Sequence, residues 1–467
     1  MKKIKENWKI EYLFYLFLII SPFLDSFSFL FHNWFPDIAV SPTVLLRLVI
    51  PTILFVYLFL HEKQNRMKMI VLGLIYFLYA LSHAGCYYAY HTNSAYGSIF
   101  HEIQYLLNYT YMMVIFYILY RFRQEKKLDD IPRYVSYFLW GYIALLYISI
   151  LSGTSSHTYI DGIGYKGWNS SGNAVGSILL LCLVIVLPLF MKEKKKHQIV
   201  LVLLTGIYLM CLLGTRVGLL GFPLVIIAFL LCMLLFSKKR KKISKKVITI
   251  GIMCVAVIGI GVFIFGSNTL ERQKHLEEES NQVVDTTTKE ESHITGDALD
   301  YVHQIEDGLM DEHFMDQAQQ QALLDMYHTA NQWNLSNSNR RVQQLLYHTY
   351  LVKEQHSPLR ILFGNGYLAN YSEMTLEMEV PAMLYNFGIF GFILYMGVYM
   401  AIFILSCIDF FRYFKRVTPI YAFYLFGTLL TFGLSMMAGY TFFHVSCMVI
   451  IAILFLLLNE KRKELVA

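Results

Sequence analysis

At 467 residues the chain is long enough for two or three soluble domains, but 56% hydrophobic residues, only 15% charged residues and a mean hydropathy of +0.47 exclude that class. Those values make the bilayer its solvent, and no nucleic-acid partner is expected. The seven cysteines all lie in or at the edge of apolar stretches, so none is placed to staple a loop or build a thiolate metal site.

A spanning helix needs about 20 largely apolar residues. Twelve stretches qualify, at roughly 11 to 31, 43 to 60, 69 to 89, 102 to 120, 134 to 152, 172 to 190, 198 to 213, 217 to 236, 247 to 266, 381 to 404, 418 to 438 and 440 to 458. The first follows a lysine-rich start, has full spanning length and carries no small-residue cleavage site, so it reads as a membrane helix rather than a cleaved signal.

The turns fix an orientation. The amino terminus, the turns near 61 to 68, 121 to 133, 192 to 196, 238 to 246 and 412 to 416, and the tail at 461 to 463 hold 29 of the 39 Lys+Arg. Every second connection is basic, which predicts that both termini are cytoplasmic in a multi-pass protein of the cell membrane. The predicted organisation is a membrane domain of nine helices over 1–266, a large extracytoplasmic loop over 267–380, and three more helices over 381–467.

The loop differs in composition, with 19 Asp+Glu against 7 Lys+Arg and seven of the fifteen histidines. Its charge-clustered start, about 271 to 293, reads as mobile, and most of its carboxylates read as solvated surface. Beyond them LDYVHQIEDGLM, ALLDMYHTANQWNL and RRVQQLLYHTYLVKE have helical spacing, the last ending before Pro358, which predicts a small helical cap.

Outside that loop the orientation leaves three basic residues on the outer side: Arg47, Lys166 and Arg216. Arg47 lies a turn inside the outer end of its span, and either pairs with Asp25 to lock two helices or meets a ligand. Lys166 sits in a glycine-rich turn, where a lone lysine is ordinarily just solvated but also has the reach to swing onto a phosphate. Arg216, in LLGTRVGLLG, stands where one helix ends and the next starts with almost no loop. An ionised group at membrane depth costs at least ~2.5 kcal/mol and usually faces something it binds; the alternative is a side chain snorkelling to lipid headgroups.

Within the loop, Arg340 and Arg341 open a helix capped by Ser338 or Asn339. Two guanidiniums beside exposed amides make an anion site, whereas taken alone they are ordinary surface arginines. Glu373, Glu377 and Glu379 precede the tenth span. A partly desolvated carboxylate there suits a general base, and the bland alternative is an acidic helix start favoured by the macrodipole. The loop histidines at 303, 313, 328 and 348 show no metal-ligand spacing.

Three stretches carry a resemblance. GYKGWNSSGNAVGSILLLCLVIVLP, LLGTRVGLLG, and NRRVQQLLYHTYLVKEQHSPLRILFGNGY with EMEVPAMLYNFGIFG resemble the O-antigen ligase and polysaccharide polymerase family of membrane proteins. The resemblance implies an all-α, polytopic fold of about twelve transmembrane helices, GT-C-like, with the helical cap. It implies a metal-independent, cofactor-free membrane glycosyltransferase that takes an undecaprenyl-pyrophosphate-linked glycan as donor and a glycan hydroxyl as acceptor, alone or beside other polysaccharide assembly proteins. By position, Arg216 and either Arg340 or Arg341 would hold the donor's phosphates, with Arg47 and Lys166 as further substrate-binding candidates. Ligases of this family often carry a histidine where this chain has Glu377 and Glu379, which makes those two the catalytic candidates and resembles polymerases of capsule or exopolysaccharide more closely. A ligase, or a transporter of lipid-linked oligosaccharide, is the alternative; a transporter would place its charges near the midplane rather than at the outer edge.

Overall fold

The structure, a computed structural model, describes residues 9–36, 38, 41–91, 94–159, 162–193, 197–236, 259, 297–335, 339–368, 371 and 374–467. The described chain is helical apart from one short hairpin. Its helices are α1 (Glu11–Trp34), α2 (Pro42–His61), α3 (Lys63–Tyr90), α4 (Ile99–Gln124), α5 (Ile131–Leu151), α6 (Gly172–Glu193), α7 (His197–Ile207, continued by a π turn Tyr208–Leu212) and α8 (Arg216–Phe236). Then follow α9 (Asp297–Glu306), α10 (Gln317–Gln332), α11 (Arg340–Gln355), α12 (Pro358–Phe363), α13 (Glu379–Arg412), α14 (Pro419–Met437) and α15 (Val445–Val466).

Among the described residues eight helices, α1, α2, α3, α5, α6, α8, α13 and α14, are long and apolar enough to cross a membrane. Each falls on a predicted stretch. The π-ended α7, α4 and α15 do so too but stop short of that standard: α4 carries Glu102, Gln104 and Asn108, and α15 turns charged from Glu460. The stretch predicted at 247 to 266 and the mobile segment predicted at 271 to 293 lie outside the described residues, apart from Gly259.

The ends are set by local chemistry. Ser41 caps α2 by accepting the Thr43 N–H at 3.2 Å, and Thr418 caps α14 by accepting the Tyr421 N–H at 3.3 Å. Each is followed by a proline at the first helical position, where no amide donor is missed. Pro22, Pro51, Pro188 and Pro223 sit inside apolar helices, as membrane helices tolerate.

The chain divides into two units. The first comprises 1–64, 111–279 and 399–467, and α6 is its axis: 83% of its apolar window is buried against α5, α8, α14 and α15, where α2 buries only 28% and shows leucines and valines outward. Lipid is the natural partner of that outer face.

The second unit comprises 65–110 and 280–398. Here α9, α10 and α11 form at the places their periodicity predicted. A capping box starts α10, with Asp316 and Gln319 exchanging 2.9 Å side-chain to backbone bonds. Ala322, Met326, Tyr347 and Leu351 of α10 and α11 close a core with Tyr87 and Tyr96. The same unit ties α3 to α13, through the Tyr79 hydroxyl donating to the Phe387 carbonyl at 2.9 Å.

Candidate functional site

In the first unit the candidate residues gather around the turn between α7 and α8. Antiparallel strands β1 (Ser156–His157) and β2 (Tyr165–Gly167) form a hairpin whose base docks on that turn. The Thr158 hydroxyl donates to the Leu213 carbonyl at 2.7 Å, and Tyr208 donates to the Tyr165 carbonyl at 2.6 Å. Gly164 approaches so closely that a Cβ there would stand 2.5 Å from the Leu213 oxygen, and its φ of +75° already excludes most side chains. The hairpin that carries Lys166 and the turn that leads to Arg216 are therefore one piece.

Arg216 is the first residue of α8 and is exposed. The Thr215 hydroxyl caps the helix by accepting the Gly218 N–H at 3.1 Å. Among the described residues Arg216 forms no ion pair, so its guanidinium, the free amides of the first turn and the positive end of the helix dipole point the same charge to solvent. Lys166 donates to the Ser170 carbonyl at 3.3 Å, and burial holds its ammonium below the usual lysine range. Asn169 beneath it is buried, accepting from Tyr142 at 2.8 Å and donating to the Lys166 carbonyl at 3.0 Å.

Arg47 stands elsewhere in this unit, in an ion pair with Asp25, whose side chain is 2% exposed. Of the two sequence readings the helix-locking pair is the one with geometry behind it. Its positive charge is already answered inside the protein.

In the second unit the candidates lie along one face of α11. The Arg341 Nε donates to Glu377 at 3.1 Å, Gln344 accepts the Glu377 N–H at 3.2 Å, His348 donates from Nε2 to the Met374 carbonyl at 3.0 Å, and Thr349 meets the Tyr385 hydroxyl at 2.8 Å. Positions 341, 344 and 348 share a helical face, so the incoming strand 374–378 is laid along α11 before it enters α13. The residue before the helix, Asn339, makes no side-chain cap; Ser338 and Glu373 lie outside the described residues. Arg340 is exposed beside Arg341. Glu377 is half exposed and paired, whereas Glu379, first in α13, is buried. Burial pushes the His348 imidazole down to about 4, so it is neutral and fixed as a donor to Met374.

The turn between α12 and the α13 lead-in is the tightest element. The Asn365 and Gly366 amides donate to the Tyr385 and Asn386 carbonyls, each at 2.9 Å, and a Cβ on Gly364 would stand 2.1 Å from the Asn386 oxygen. Gly388 answers it with a φ of +70°, a kink inside α13 that lets the two backbones touch.

Beneath this turn lie residues that sequence reasoning missed. Glu102, 1% exposed, accepts the Tyr367 N–H at 2.7 Å and meets His83 Nε2 at 3.2 Å, while His83, fully buried, reaches the Phe363 carbonyl from Nδ1 at 2.6 Å. A carbonyl only accepts, so Nδ1 carries a proton and the His83 to Glu102 bond needs a second one, on either partner. Arg360 is also buried, stacked 4.8 Å over the Tyr90 ring and donating to the Tyr90 carbonyl at 3.0 Å, with no carboxylate at ion-pair distance among the described residues. Burial, and after it the Arg360 charge, pushes the neighbouring His91 down to about 3. A signal existed: histidine and glutamate inside apolar stretches are rare enough to flag on that ground alone.

Neither a curated protein nor a solved structure shows significant similarity to this chain. A family model does, described as an O-antigen ligase like membrane protein, and it covers residues 7–463. With that match running through the hairpin, the Arg216 turn and the α11 to α13 signature, the chain belongs to the O-antigen ligase-like family of multi-pass membrane proteins, whose members are associated with transfer of lipid-linked glycans.

Proposed function

We propose that the protein polymerises surface polysaccharide, transferring a glycan from an undecaprenyl-pyrophosphate carrier to the hydroxyl of a second glycan at the outer face of a bacterial cell membrane. The reading takes twelve spans with both termini cytoplasmic, as the distribution of basic turns implies. Its main support is Arg216, a cation at the start of an apolar helix, exposed and without an ion pair among the described residues.

In the proposed reaction the acceptor oxygen attacks the anomeric carbon, the bond from that carbon to the pyrophosphate oxygen breaks, and the carrier leaves with the electron pair. Negative charge grows on the pyrophosphate as that bond lengthens. Fixed cations at that point stabilise the transition state more than the ground state. Arg216 and the amides of its helix start are given this role, with Lys166 on the docked hairpin as a second contact. In the second unit Arg340 and Arg341 are assigned to phosphate or glycan oxygens. The hydroxyl proton goes to a carboxylate, and Glu379 suits this better than Glu377 because it is buried and Glu377 is engaged by Arg341. Arg47 is assigned to packing.

The experiment is an Arg216→Ala substitution with membrane insertion verified, followed by analysis of lipid-linked intermediates. Single repeat units should accumulate on the outer side. Undiminished polymer would overturn the assignment. A ligase would instead accumulate full-length lipid-linked polymer, so the length distribution separates the two transferase readings.

A further inference from the structure

The other end of the first unit holds a cavity that the proposed chemistry does not use. Its volume is about 410 Å³, within the usual range of ligand sites, and it is walled by Asp409, Arg412 and Tyr413 at the end of α13 and by Arg462, Lys463 and Ala467 at the end of α15. Three cationic side chains face two carboxylates there, that of Asp409 and the main-chain carboxylate of Ala467. Two of the cations are poorly satisfied. Arg412 is exposed and makes no hydrogen bond or ion pair among the described residues. Arg462 Nε pairs with Asp409 at 3.8 Å, too far for a hydrogen bond, and that nitrogen is buried without a hydrogen-bond partner.

Cations at helix carboxyl ends are favourable in any protein, because they face the negative end of the dipole. A buried donor without an acceptor is not, and it costs about 1–3 kcal/mol unless something accepts from it. Lys463 adds a charge but is directed over the Tyr120 ring at 5.3 Å, which leaves the two guanidiniums as the binding edge. Planar guanidiniums match the paired oxygens of a phosphate better than ammonium does. The cavity opens where apolar helices end in charge, the place at which a spanning helix meets lipid headgroups.

We propose that this cavity binds the phosphate of an anionic phospholipid headgroup, with Arg412 and Arg462 as its donors and the acyl chains lying along the exposed Ile404, Ile408 and Phe411 face of α13. On the orientation given above this is the cytoplasmic leaflet; the binding itself does not depend on that orientation or on glycan transfer. Basic cavities between helix ends are a known chemistry for such lipids, with each cation near the surface worth about a fivefold change in binding.

The test uses the full chain purified in mild detergent and reconstituted in nanodiscs of phosphatidylcholine with or without phosphatidylglycerol. Retained lipid is read by native mass spectrometry. Wild type should retain phosphatidylglycerol over phosphatidylcholine, and Arg412→Gln should cut that preference about fivefold, with Lys463→Gln cutting it less. Arg412 is exposed and makes no hydrogen bond or ion pair among the described residues, so its variant should keep the fold; Arg462→Gln is a second variant, read only if its melting profile matches. Equal retention of both lipids by wild type, or unchanged selectivity in Arg412→Gln, overturns the proposal. A parallel arm adds inorganic phosphate alone: protection against melting equal to that given by the lipid would assign the cavity to free phosphate and also overturn it.

Discussion

The turn before α8 and the face of α11 both present arginine, and they hold it by opposite means. Around Arg216 the scaffold is backbone: Gly164 against the Leu213 carbonyl, Gly218 with a Cβ position 2.4 Å from the Leu209 oxygen, and a hydroxyl cap, with no described ion pair on the guanidinium. Around Arg341 the scaffold is side chain, a run of polar contacts from Glu377 to Tyr385, and the guanidinium belongs to it. A charge placed by backbone is available to a ligand, whereas a charge that is part of its own scaffold must leave a partner to serve one. Stability and activity should therefore separate cleanly in the first region and mix in the second.

The largest effect should come from the backbone contact that closes the second region. Gly364→Ala drives a Cβ onto the Asn386 oxygen at a φ of +93°, and should destabilise by roughly 3–5 kcal/mol, read as a lower melting temperature and protease cleavage near 358–388. Gly73→Ala, where the added methyl meets nothing within 4 Å, should be neutral or stabilise by up to ~1 kcal/mol. Equal melting of the two variants would mean that the turn is not as tightly closed as described.

Next comes Arg216→Ala, expected to cut transfer about 100- to 1,000-fold while moving stability by no more than ~0.5 kcal/mol. Arg47→Ala is its mirror image. It strands the buried Asp25 carboxylate, so melting should fall first and activity only in proportion to folded protein, with Asp25→Asn in the same chain restoring part of the loss. A stable Arg47→Ala protein with no activity would return Arg47 to the site.

These contrasts also mark what the sequence could say. Apolar runs of spanning length are a strong local signal, so the helices from α1 to α8 and from α13 to α15 were legible, as was Arg216, a charge where hydropathy forbids one. Asp25 was legible as the partner of Arg47 because both stand near the same predicted membrane face. The His83 and Glu102 pair was not, since its meaning depends on the Phe363 carbonyl 280 residues away from His83 along the chain. Nor was Gly388, whose positive φ is required only because Gly364 comes to rest against it. Local pattern reports elements, and pairings across hundreds of residues leave no local trace.

A smaller effect is a pH dependence of the second region. His348 titrates near 4 when folded and near its ordinary 6.5 when unfolded, so folding disfavours its protonation. Its stabilising contribution is complete above about 6.5 and is lost as pH falls toward 4, by roughly 3 kcal/mol at most. Melting measured from pH 7.5 to 4.5 should decline, and His348→Gln, which still offers a donor to the Met374 carbonyl, should flatten the decline. His91, held down by the same burial, contributes in the same window, so a residual slope in the variant is expected.

The smallest effect is the sharpest test of the comparison. The Arg341 and Glu377 side chains are 36% and 45% exposed, and an ion pair with that much water around it is worth only about 0.2–1 kcal/mol. A double-mutant cycle with Arg341→Gln and Glu377→Gln should therefore give a coupling energy below ~1 kcal/mol in melting, because the Gln344, His348 and Thr349 contacts hold the strand without it. Activity should not follow that cycle. If Arg341 exchanges Glu377 for an oxygen of the substrate, Arg341→Gln loses transfer while Glu377→Gln, which removes the competing carboxylate charge, keeps it or gains. Should both variants lose transfer equally, with a coupling as large in activity as in stability, the pair acts only as a unit of structure and phosphate recognition in the second region passes to Arg340.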